Sequence, residues 1–140
     1  MFYIDYVTDK DKDFWYTLDR HMPEQEFILK VRDRRGYVIR DDKKPVGVIR
    51  YNLFWDNTPF LNLIYLEEGY RRNGFGKKAI LCWEDDMRKQ GYKAVMTSTQ
   101  VDELAQHFYR RLGYTDTGCL VLNLPGYEQP MEMLMIKSLL

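Results

Sequence analysis

The sequence predicts a single α/β (α+β) domain, built on a mixed, largely antiparallel sheet flanked by about four helices. Three observations carry this. Short β-rich segments follow one another closely up to Leu66, the spacing of an antiparallel meander. Beyond Leu66 the pattern changes to helix, strand, helix and two final strands. The chain has 140 residues, 45% hydrophobic and 15% aromatic. That length buries about two-thirds of the unfolded surface without a metal or disulfide staple, so one domain over residues 1–140 is expected.

Phe2 to Val7 alternates and reads as a short strand. Lys10 to His21 carries Phe14, Trp15 and Leu18 at helical spacing, and Pro23 suits the first turn of a second helix, amphipathic through Phe27, Ile28 and Val31. Gly36 is expected to close that helix. Tyr37 to Arg40 and Val46 to Phe54 are strands around the polar turn Asp41 to Lys44. The turn Asp56 to Pro59 leads into Phe60 to Leu66, a nearly continuous apolar run of the kind buried at a sheet centre. In Phe75 to Gln90, Phe75, Ala79, Trp83 and Met87 recur every four residues, and Gly91 ends the helix. Tyr92 to Ser98 is a strand, and Asp102 to Leu112 a helix stopped by Gly113. Tyr114 to Leu122 and Met131 to Ile136 are strands joined by the loop Asn123 to Pro130.

Charge and composition exclude several classes. Twenty-one basic and twenty-one acidic residues cancel, which argues against the broad basic surface of a nucleic-acid binder and against a polybasic membrane anchor. No apolar run approaches the ~20 residues of a membrane helix, and Met1 to Lys10 lacks the pattern of a signal peptide. Cys82 and Cys119 lie in apolar-patterned segments without a CxxC, and read as reduced core thiols of a cytoplasmic protein. His21 and His107 are too distant in sequence to suggest a metal pair, so no metal is expected.

The most informative stretch is Glu67-Glu68-Gly69-Tyr70-Arg71-Arg72-Asn73-Gly74-Phe75-Gly76-Lys77-Lys78, between a buried strand and an amphipathic helix. The helix leaves its first amides free, and these with the helix dipole form an anion site. Gly74 and Gly76 allow close approach of a ligand, and Arg71, Arg72, Lys77 and Lys78 gather cations there. A phosphate-bearing ligand is the simple reading; a solvated basic turn is the alternative. The stretch is not a P-loop, because Phe75 stands where GxxxxGK requires lysine. Gly74, Gly76 and Ala79 match the dinucleotide form GxGxxA, but seven residues separate the strand from Gly74 and no acidic residue ends the following strand.

Arg71-x-x-Gly74-x-Gly76, after a strand and opening a helix, resembles the pyrophosphate-binding signature of the GCN5-related N-acetyltransferase (GNAT) family. Downstream, Ala105-Gln106-His107-Phe108-Tyr109-Arg110-Arg111-Leu112-Gly113-Tyr114 resembles that family's A-x-x-F-Y-x-x-L-G-F segment, with Tyr114 for the usual phenylalanine. The resemblance implies acetyl-CoA as co-substrate and direct attack on the thioester by an amine of a small molecule or peptide. It implies that the backbone amides of Arg72, Asn73, Gly74, Phe75, Gly76 and Lys77, with Arg71, hold the pyrophosphate. It implies a main-chain amide near Leu66 that polarises the carbonyl, on a strand splayed by a bulge. Tyr109 occupies the family's general-acid position and would protonate the departing thiolate.

The base is open. The strand Phe60 to Leu66 holds no carboxylate, so the candidates are Glu67 or Glu68 acting through water, or an amine that arrives deprotonated. Asp102 stands where the family often has asparagine, and is either a ligand contact or a helix N-cap. By the same resemblance the acceptor enters between the N-terminal helices and the Asn123 to Pro130 loop, near His21, Met22, Trp55, Tyr127 and Glu128. Aromatic walls with a carboxylate suit a cationic amine. The alternative function is a non-catalytic acyl-CoA sensor or a protein-interaction domain of the same fold. The methionine-rich strand Met131 to Ile136 reads either as core or as the adaptable face of a homodimer.

Overall fold

Strand alternation divides the apolar residues between two faces of one sheet, and that division sets where the helices sit. A computed structural model describes residues 1–140. In chain order the elements are β1 (Phe2–Tyr6), α1 (Lys12–Leu18), α2 (Glu24–Asp33), β2 (Gly36–Asp41), β3 (Lys44–Phe54) and β4 (Thr58–Leu66). They continue as α3 (Phe75–Lys89), β5 (Ala94–Gln100), α4 (Ala105–Arg111), β6 (Thr115–Leu120) and β7 (Glu132–Ser138). Single 3₁₀ turns precede α1 and follow β4. The sheet has seven strands in the order β1-β2-β3-β4-β5-β7-β6, antiparallel except for β4 against β5. The expected class, a mixed and largely antiparallel sheet with four helices, is the observed one.

Neighbouring residues on β2 and β3 face opposite ways. Val38 and Val48 join Val7, Trp15 and Phe27 in a core under α1 and α2. Ile39 and Ile49 join Ala79, Ile80, Trp83, Val95 and Met135 in the larger core under α3 and α4. The four-residue spacing of α3 works as expected: Ala79, Trp83 and Met87 are fully buried.

Several local expectations are corrected. Gly36 does not close α2; Arg34 does, in the left-handed conformation at φ 56°. Gly36 opens β2, where an added Cβ would stand 2.9 Å from Val7 Cγ1, so the position is glycine for space and not for a helix cap. Asp102 makes no cap bond to α4, which starts three residues later with Leu104 as its N-cap. Cys119 is exposed rather than core, because β6 is an edge strand exposed along its length, and Cys82 is only half-buried. Met135 of the methionine-rich strand is fully buried, which is core packing.

The feature that positions the site is a gap in the sheet. β4 and β5 pair only at Phe60↔Met96 and Leu61↔Thr97, and then diverge. The cause lies on the other edge of β4. Arg50 pairs with Leu63 and Tyr51 with Leu61, so Asn62 is an extra, bulged residue. A bulge bends its strand and increases the local twist, which swings the end of β4 away from β5. The bulge that the resemblance implies lies at Asn62, four residues before Leu66.

Candidate functional site

Two cavities adjoin along the splayed half of β4. The first, about 590 Å³, is lined by the glycine loop, Ile64 and Leu66 of β4, and Phe108, Arg111 and Leu112 of α4. Gly74 precedes α3 at φ 80°, a conformation that strains any residue with a Cβ. The first main-chain helical bond there runs from Lys78 N–H to Gly74 O at 3.1 Å, which leaves the amides of Phe75, Gly76 and Lys77 free. No acidic residue lies in the first turn of α3 to compete with an anion. A Cβ on Gly76 would project between Leu66 and Phe108, 3.7–3.8 Å from their side chains, which both line this cavity.

Arg71, Arg72, Lys77 and Arg111 all line the groove. None forms an ion pair within the chain. Four unpaired cations beside free helix amides suit a pyrophosphate. Arg71 is held in place: its Nε donates to Leu66 O at 2.9 Å and its guanidinium stacks on Tyr65 at 4.8 Å. Lys78 lies over the Phe75 ring and is not in the lining. Arg111 takes its place, and was missed by sequence reading although it sits in the downstream motif one residue before Leu112. The Phe75 side chain packs on Phe2 and Tyr70, so only its amide faces the groove.

Backbone alternation completes this wall. Glu67 N–H bonds Val46 O, so Ile64 and Leu66 turn their amides and carbonyls away from β3, toward the opening.

The second cavity, about 290 Å³, fills the gap itself. Tyr109, Thr97, Thr99, Asn62, Glu103 and Glu132 contribute its polar lining. Tyr109 is 7% exposed and wedged edge-on between Phe108 and Tyr114. Burial pushes its phenol up to about 12. Glu132 was also missed; it is the one charged residue of the apolar strand Met131 to Ile136, which is the signal that marks it. Tyr114, the departure from the usual phenylalanine, has a partner: its hydroxyl donates to the buried Glu84 at 2.8 Å.

Glu67 and Glu68 do not join Tyr109. They line a third cavity with Thr17, His21, Tyr65 and Arg71, on the α1 side. Of the other residues expected near an acceptor, Met22 is buried in the α1–α2 core, because it packs with Trp15 and Phe27. Trp55 is 81% exposed at the tip of the β3–β4 hairpin, beyond the closed end of the gap. Tyr127 is exposed on the β6–β7 loop, where Glu128 accepts the Gly126 N–H at 3.0 Å.

The chain is similar in fold to several solved acetyltransferases. Ard1 from Thermoplasma volcanium superposes with a TM-score of 0.80, at 20% identity, over 99% of this chain and 98% of that one. The ribosomal-protein-S18-alanine N-acetyltransferase from Escherichia coli gives 0.79 at 17% identity, over 99% and 94% of the two chains. Arabidopsis thaliana Naa50, in complex with the bisubstrate analogue CoA-Ac-MVNAL, gives 0.79 at 16%, over 98% of each. Comparison by sequence with curated proteins finds no match. At these identities the likeness shows the fold, but the characteristic sequence pattern of the acetyltransferase (GNAT) family matches residues 3–114, from β1 to the end of the second motif, and the chain belongs to that family.

Proposed function

We propose that the protein transfers an acetyl group from acetyl-CoA to a primary amine of a small molecule or peptide, by direct attack and without a covalent enzyme intermediate. The observation that supports this is that Ile64 lines both cavities, so the cationic groove and the Tyr109 pocket adjoin along the free edge of β4. A phosphate-bearing donor anchored on the groove reaches the gap by running along that edge as an added strand would.

In this reading the amides of Arg72 to Lys77, with the side chains of Arg71, Arg72, Lys77 and Arg111, hold the pyrophosphate. The main chain at Ile64 and Leu66 holds the donor's arm and its carbonyl. Tyr109 protonates the departing sulfur. With its phenol raised to about 12, the proton is always present and leaves only late, as the C–S bond breaks and charge gathers on sulfur. Glu67 and Glu68, beside His21, are candidate bases on the α1 side.

The Escherichia coli relative is named for a ribosomal-protein alanine and the Arabidopsis one is seen with CoA-Ac-MVNAL, so peptide amines stand beside small-molecule amines as acceptors. Both cysteines are free thiols, which suits a cytoplasmic setting. The test is to incubate the protein with acetyl-CoA and a panel of amines and follow free thiol. Release that depends on particular amines supports the enzyme. Tight CoA binding with no release from any amine refutes it and favours the sensor, and no CoA binding refutes both.

A further inference from the structure

The gap between β4 and β5 holds polar groups that the chemistry above leaves unused. Thr99 lines its cavity at 4% residue exposure, and its hydroxyl has no hydrogen-bond partner. An unpaired buried hydroxyl costs about 1–3 kcal/mol, which a ligand group in the cavity would recover. Glu132 on β7 stands opposite Gln100, and Ser98 Oγ donates to its Oε1 at 3.4 Å. Alternation puts Ser98 and Glu132 on the face opposite Thr97 and Thr99, and only the splay lets both faces share one cavity. Glu103, exposed in the turn before α4, accepts the Gln100 N–H on its Oε1 at 3.1 Å. The cavity lining contains no lysine or arginine, and neither glutamate has a cationic partner elsewhere in the chain.

Resting on the N-acetyltransferase reading, we propose that Glu132, which shares the Tyr109 cavity, is the general base of the reaction in place of Glu67 or Glu68, which line a separate one, and that Glu103 and the Thr99 hydroxyl hold the acceptor's ammonium beside it. The Glu132 carboxylate takes one proton from the ammonium and passes it to solvent. The freed nitrogen bonds the thioester carbon as the C–S bond breaks. Sulfur takes the Tyr109 proton, and Tyr109 regains one from the N–H that the new amide loses. One ammonium and one thioester give one amide, one thiol and one proton. Burial, and after it the charge of Glu103, holds the Glu132 carboxyl above the usual carboxylate range, closer to the operating pH that suits a base. The groups facing Glu132 are Ser98 of β5, Glu103 and Tyr109 around α4, and Gln129 of the β6–β7 loop. The arrangement also selects the acceptor class. A carboxylate next to the amine would meet Glu103 and Glu132, so polyamines and peptide N-termini are favoured over free amino acids.

The test follows thiol release from acetyl-CoA with spermidine, a tetrapeptide amide and glycine over a pH series that runs from the acid side, where a carboxylate takes up its proton, to alkaline pH, where the amine arrives neutral. Glu132→Gln is expected to lose at least about 100-fold in kcat/KM near neutral pH, with acetyl-CoA affinity kept within about twofold. The loss shrinks as pH rises and the amine arrives neutral. Glu103→Gln removes a like charge, which lowers the Glu132 pKa and moves the acid limb of the profile to lower pH. A packing defect would not move that limb. Glu132→Gln within about threefold of wild type at every pH overturns the assignment, as does an unmoved limb in Glu103→Gln. Should Glu132→Gln lose acetyl-CoA binding through misfolding, the limb shift decides alone. Glycine turned over as well as spermidine overturns the acceptor class. No thiol release by the wild type with spermidine or the peptide overturns this acceptor class, whereas the parent reading falls only if no amine of the wider panel releases thiol.

Discussion

Lys137→Met tests how α3 is tied to the far strands of the sheet. Glu84 on α3 is 1% exposed and accepts hydrogen bonds from the Lys137 ammonium at 2.7 Å and the Tyr114 hydroxyl at 2.8 Å. Tyr114 in turn packs edge-on against Tyr109, so this brace fixes the helix that carries the proposed acid. Removing the ammonium strands a buried carboxylate on one neutral donor. Losing one partner of a buried pair costs about 3–5 kcal/mol. The Lys137 side chain is 19% exposed, so water partly replaces it and the lower end, about 3 kcal/mol, is expected. At a urea slope of about 2 kcal/mol per molar, the unfolding midpoint falls by about 1.5 M. Glu84→Gln combined with Lys137→Met removes the stranded charge but keeps an acceptor for Tyr114, and should regain about 2 kcal/mol of the loss. A loss below about 1 kcal/mol in the single variant, or a double variant no more stable than the single, would refute the argument that a buried charge is what Lys137 balances.

Three further outcomes bear on the site. Tyr109→Phe should lower turnover about 100-fold or more while acetyl-CoA binds as before; unchanged turnover removes Tyr109 from the mechanism. Because its phenol lies at about 12, wild type should show no alkaline limb from this group within the ordinary assay range. Arg111→Ala should weaken CoA binding about tenfold, the loss of one hydrogen bond to a charged phosphate, and most at low salt; titration calorimetry at two ionic strengths checks this. Gly47→Ala places a Cβ 2.7 Å from Leu66 Cδ2 and 2.8 Å from Tyr65 O. The Tyr65 backbone must move, so a loss of about 1–3 kcal/mol should come with a raised KM for acetyl-CoA. An unchanged melting temperature would show that β4 yields there without strain.

The sequence made local requirements visible and left convergent ones hidden. The loop is legible because Gly74 must adopt φ 80° and its cations are neighbours in the chain. The periodicity of α3 is legible because one face of one helix meets the core. Arg111 and Glu132 are not legible in that way. Arg111 reaches the groove only because α4 packs beside α3's first turn, and Glu132 reaches the gap only because β7 returns next to β5. The Asn62 bulge is likewise a property of how β3 and β4 register, not of Asn62 itself. In the sequence Tyr114 is only a departure from the usual phenylalanine; its partner Glu84, thirty residues away, is brought to it by the fold.

The sheet is continuous in outline but joined at its middle by only two residue pairs, Phe60↔Met96 and Leu61↔Thr97. Mechanically it is a pair of antiparallel wings, β1 to β4 and β5 to β6, on a short seam. The seam has one weld beyond the ladder, from Thr97 Oγ1 to Leu61 O at 3.1 Å. Any molecule that bonds to both wings in the opening therefore acts as a rivet as well as a ligand. At about 100 times its Kd it would add about 2.7 kcal/mol to the stability of the whole chain, and resistance to unfolding would report its presence before any product is made.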